Sequence, residues 1–119
     1  MPNSVLRTKS KDFAKSIIIL CRVMKERKVE SALINQLIRC GTSIGANIHE
    51  AQYAQGTKDF ISKLEIALKE CNESEYWLEL LRNTACIAEE EYKPLCADCI
   101  AIKRMLVSSI TTLKNKSKA

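Results

Sequence analysis

This sequence has no run of apolar residues approaching the roughly 18 needed to cross a bilayer. The longest, Ile17 to Cys21, is a helix-core stretch. The opening residues, MPNSVLRTKSKDF, hold no apolar segment of signal-peptide type, so a cytoplasmic protein with no membrane association is expected. Histidine occurs once, at His49. A di-iron bundle site needs Glu-x-x-His on two helices, and the serines lack a paired His and Asp. The three glycines form no phosphate-cradling loop. Catalysis is therefore not expected, and neither is a cofactor. Six aromatic residues are too few for a stacking platform along a single strand. No alternating strand pattern is visible.

What the chain does have is cysteine. Six cysteines without an export signal read as free thiols rather than a disulfide framework. Cys21, Cys40, Cys71 and Cys86 fall within helical patterns, where cysteine serves as a small hydrophobe. Cys96 and Cys99 form a lone CxxC. A structural zinc site would want two more ligands at similar spacing, and a thioredoxin-like motif would want a strand before it. Packing is the expected role.

A chain of 119 residues suits one domain, and the stretch Ser31 to Ala54 is its centre. Ile34, Leu37, Gly41, Ile44, Ile48 and Ala51 recur at three- and four-residue spacing, the seam of a helix packed on other helices. Gly41 and Gly45 lie one turn apart, and each costs about 1 kcal/mol relative to alanine in a helix. Close approach of a neighbouring backbone would compensate. Similar periodicity runs from Phe13 to Met24, from Phe60 to Ala85 and from Leu95 to Leu113. Helices are predicted over about 4–26, 31–54, 57–86 and 93–115, the third the longest. Ser31 and Thr57 are the expected N-caps, and Pro94 the expected first-turn proline. Short links between four helices predict an all-α, antiparallel up-down four-helix bundle.

The net charge of +5 is unevenly spread. Residues 1–30 carry an excess of basic residues and residues 89–119 a smaller one, while 57–88 is acidic. Candidates for phosphate contact are Arg7, Lys9, Lys11, Lys15, Arg22, Lys25, Arg27 and Lys28, joined by Lys103, Arg104, Lys114 and Lys116. For a monomer of this charge an ordinary solvated face is the simpler reading. Oligomerisation, by multiplying the charge on one particle, would favour salt-dependent nucleic-acid binding.

Two blocks carry a family likeness. The segment QLIRCGTSIGANIHEA, followed by DFISKLEIALKECNESEYWLELL, closely resembles the four-helix bundle proteins encoded in intervening sequences of bacterial 23S rRNA genes. Accessory proteins of diversity-generating retroelements are similar. The shared pattern runs through Arg39, Ser43, Ile44, Gly45, Asn47 and Glu50, then Phe60, Glu70, Glu73, Trp77 and Leu81. His49 and Cys40 depart from it. The resemblance implies a homo-oligomer, a pentameric ring of bundles, and RNA or DNA as a partner for the basic surfaces.

Arg39, Asn47 and Glu50, with Glu70 and Glu73, read as an interhelical or intersubunit polar network built on a buried arginine. A divalent metal or direct contact with a partner are the alternatives. Trp77 and Leu80 are expected at the oligomer interface. Two functions follow as expectations: nucleic-acid binding by shape and charge, or an adaptor docking a partner protein.

Overall fold

The computed structural model describes residues 4–118, which form four helices: α1 Ser4–Glu26, α2 Ser31–Ala51, α3 Thr57–Asn83 and α4 Glu89–Lys118. No strand occurs among the described residues. Each helix packs on its successor and α4 returns against α1, giving a rod of 51 × 21 × 21 Å. Facing residues show that successive helices run in opposite directions. Gly41 lies against Ile17 and Gly45 against Ser10, while α4 meets α3 through Lys103–Glu75 and Lys114–Glu65. At the α1–α4 seam Arg27 meets Glu91. The outcome is an up-down four-helix bundle.

The core follows the periodicity. Phe13, Ile17, Leu20 and Met24 of α1 are buried, as are Leu37, Ile44 and Ile48 of α2. Leu64, Cys71, Leu78 and Leu81 of α3 meet Leu95, Cys99, Ile102 and Leu106 of α4 in the same core. Glycine has a specific role where α1 crosses α2. A Cβ on Gly41 would stand 2.9 Å from Ile17 Cγ1 and Cγ2, and one on Gly45 3.3 Å from the Ser10 carbonyl oxygen. Only a bare backbone admits α1 this closely.

The helix boundaries differ from those expected. α2 stops at Ala51, three residues early, and α3 at Asn83. α1 and α3 each end in a Schellman motif without glycine. Lys28 (φ 64°) and Ala85 (φ 62°) take the left-handed conformation. Val29 N–H then donates to Met24 O and Cys86 N–H to Leu81 O. The N-caps fall one residue before those predicted, at Glu30 and Gly56, and neither makes a side-chain cap bond.

α4 starts at Glu89 and is the longest helix, so the three glutamates form its first turn instead of a loop and Pro94 lies in the second. The reason is a cap: Glu91 Oε1 accepts the Ala88 N–H at 2.8 Å, and its carboxylate also takes a two-pronged bond from Arg27. The Arg27 bond first, and the Ala88 N–H second, hold the Glu91 carboxyl below the usual carboxylate range. Stability from a depressed carboxyl is present above its unfolded pKa and lost as pH falls through the folded one. Glu91→Ala is expected to cost about 1 kcal/mol at neutral pH, lowering the melting temperature by about 4 °C. Melts in strongly acidic buffer should show the variant and parent converging.

Candidate nucleic-acid interface

The basic residues of α1 separate by azimuth. Lys25 lies 18 residues, about five turns, after Arg7, and Arg22 lies 11 residues, about three turns, after Lys11. These four therefore share one stripe, with Lys15 beside it, extending about 27 Å at ~1.5 Å per residue. Arg7 and Lys11 line a groove together with Thr42, Gly45, Ala46 and His49 of α2, which places the stripe on the α2 side of α1. Among the described residues none of these five cations is ion-paired. α2 carries one carboxylate, Glu50, and it shares the azimuth of Ser43, toward α3. Glu26 and Glu30 stand at the far end of the stripe.

Three expected phosphate contacts are already engaged. Arg27 is held by Glu91, Lys103 by Glu75 at 3.1 Å and Lys114 by Glu65 at 2.7 Å. Lys9 sits in the α1–α4 groove with Asp12 and Asp98. Lys28 lies in the α1–α2 link, while Arg104 and Lys116 are exposed on α4. The terminal segments thus share a charge sign, but their described cations include both an unpaired stripe on α1 and positions already engaged by carboxylates.

The polar set divides as well. Arg39 donates to Glu73 at 2.5 Å and reaches Glu70 at 3.5 Å. Asn47 instead donates to Ser43 O on its own helix, and Glu50 is exposed, with no ion pair among the described residues. Nor is the arginine buried: its side chain is 51% accessible. The bond to Glu73 raises its already high pKa. The cluster therefore pins the outer α2–α3 seam of this chain instead of crossing its core.

Glu70 and Glu73 belong to a larger stripe. Ile66, Glu70, Glu73, Trp77 and Leu80 follow 4-3-4-3 spacing on the α2-facing flank of α3. Trp77 and Leu80 are half-buried, Ile66 is exposed, and Trp77 meets Tyr76 edge-on at 5.0 Å. Ile66 is not among the residues expected at an interface, although its spacing to Trp77 is the signal that marks it. His49 has no partner visible in the sequence; the structure puts it in one groove with Arg7 and Lys11.

Three of the buried thiols are poor candidates for chemistry. Burial, with Cys40 nearby, pushes the Cys21 thiol up to about 11, and burial likewise raises Cys40. Cys99 is raised chiefly by its bond to Cys71, then by burial, and donates to the Cys71 carbonyl at 3.4 Å. Protonated thiols are neither nucleophiles nor metal ligands. Among the described residues no three His, Cys, Asp or Glu side chains are grouped to hold a metal ion.

The model of the family described as 23S rRNA-intervening sequence protein matches residues 3–108. The chain belongs to that family. A crystal structure from Bacteroides thetaiotaomicron, described as a protein of unknown function from the S23 ribosomal protein family, is 47% identical. The likeness covers 88% of this chain and 97% of that one, with a TM-score of 0.86. A search of the curated proteins finds no match. No helix among the described residues is long and apolar enough to cross a membrane.

Proposed function

We propose that the protein is a non-enzymatic, cytoplasmic nucleic-acid-binding module whose α1–α2 face follows a phosphate backbone. The observation that carries this reading is the stripe of Arg7, Lys11, Arg22 and Lys25, which no carboxylate among the described residues pairs. Recognition is by charge and shape, because the stripe offers cations and no set of base-reading side chains. A homo-oligomer, a pentameric ring on the family resemblance, would repeat the stripe and strengthen binding. Anisotropy of labelled single-stranded RNA and duplex DNA, titrated at several salt concentrations, tests this. Micromolar or tighter binding that weakens steeply with salt is expected. No binding at low salt would reduce the stripe to a solubility feature.

The exposed Ile66 and Tyr76 beside Trp77 favour a second use of the α2–α3 face, as a contact with further copies or with a partner protein. Arg39 sits at the centre of that face. Arg39→Ala is expected to loosen the oligomer, while the isolated bundle loses less than about 1 kcal/mol because the ion cluster is half exposed. Native mass and melting temperature both unchanged would remove Arg39 from the assembly.

A further inference from the structure

The cavity beside the cationic stripe has a chemistry of its own. It is an open groove of about 500 Å³ between the first half of α1 and the second half of α2. Arg7 and Lys11 form one wall, Thr42 and His49 the other. None of its lining residues is a carboxylate. The floor is low because Gly45 has no side chain and Ala46 only a methyl group, so a flat space remains above the point where α1 and α2 touch. His49 is tilted against Tyr53, with ring centroids 5.4 Å apart, and this contact steadies the imidazole at the rim.

Two cations and an imidazole select an acceptor-rich anion, and phosphate is the anion such groups bind well; the Thr42 hydroxyl donates to Ile38 O and leaves its lone pairs to the groove. The volume exceeds what one phosphate fills and lies in the range of small-molecule sites. An apolar floor bordered by an aromatic ring suits the flat face of a sugar or base. We infer that the α1–α2 groove seats one nucleotide unit, with its phosphate between Arg7 and Lys11 and its base over Ala46 toward His49. This rests on the nucleic-acid reading and deepens it: the rest of the stripe holds the strand, and the groove holds a single unit of it.

His49 is the chain's one histidine, so its imidazole resonance reports on the groove without overlap. The full-length protein would be titrated with uridine 5′-monophosphate, inorganic phosphate and an oligouridine RNA while that resonance is followed. The nucleotide and the RNA should shift it saturably, and inorganic phosphate should need about tenfold higher concentration. Ala46→Trp fills the floor without changing charge and should weaken the nucleotide about tenfold or more. If the tryptophan disturbs folding, Arg7→Gln/Lys11→Gln, at two exposed positions, should weaken it to the same extent.

An unmoved His49 resonance overturns the groove assignment. So does Ala46→Trp binding the nucleotide as tightly as the parent. RNA binding by anisotropy with either result sinks the groove and leaves the stripe reading standing. A shift with the nucleotide but none with RNA, and no RNA binding at low salt, keeps the groove and overturns the nucleic-acid reading.

Discussion

Ile17→Ala is expected to lower the unfolding free energy by about 2–5 kcal/mol, a large share of the stability of a domain this size. Ile17 is fully buried and packs on the bare backbone of Gly41 where α1 crosses α2. Truncation removes apolar packing and leaves a cavity that two rigid helices collapse into only partly. The reciprocal change, Gly41→Ala, would normally gain about 1 kcal/mol of helix propensity. Here the new methyl would stand 2.9 Å from two Ile17 carbons, so a net loss is expected, from an overpacking cost of about 1–3 kcal/mol. In the double variant the new methyl enters the vacated space. Its cost should fall below the sum of the two single costs by about 0.5 kcal/mol or more. Chemical denaturation of all three proteins measures this. Strict additivity would mean that the two side chains do not compete for one volume.

The second large effect concerns binding. Arg7→Gln/Lys11→Gln/Arg22→Gln/Lys25→Gln should cut RNA affinity on the order of 100-fold at low salt. It should also reduce the slope of log affinity against log salt by about 3, near 0.7 for each phosphate no longer neutralised. Arg27→Gln/Lys103→Gln/Lys114→Gln is the comparison, because Glu91, Glu75 and Glu65 already hold those cations. Its slope should change by less than about 1. Equal reductions in slope for the two sets would show that total charge governs binding, and the stripe would have no special role.

Much of the fold was legible because helical packing is written in a local period. Phe13, Ile17, Leu20 and Met24 lie four or three residues apart, and that spacing leaves them little choice but one buried face. Gly41 and Gly45 were legible as a close approach for the same reason. The helix ends were not. A left-handed stop is normally announced by glycine, and Lys28 and Ala85 take that conformation with ordinary side chains. α4 begins early because Glu91 reaches back to the Ala88 N–H, a cap in which the residue usually read as the signal, Ala88 itself, has no side-chain acceptor.

By itself, then, the sequence determined that four amphipathic helices would form, which face of each would be buried, and which ends of the chain would be basic. Those properties depend on residues a turn or two apart. Only the tertiary structure decided which cations remain free and which residues share a groove. Arg27 and Glu91 are 64 positions apart, and Arg7 and His49, on different helices, line one groove. Such pairings depend on the rotation and axial shift of one helix against another. That is settled by how the whole core packs, chiefly by Ile17 seated on the bare backbone of Gly41.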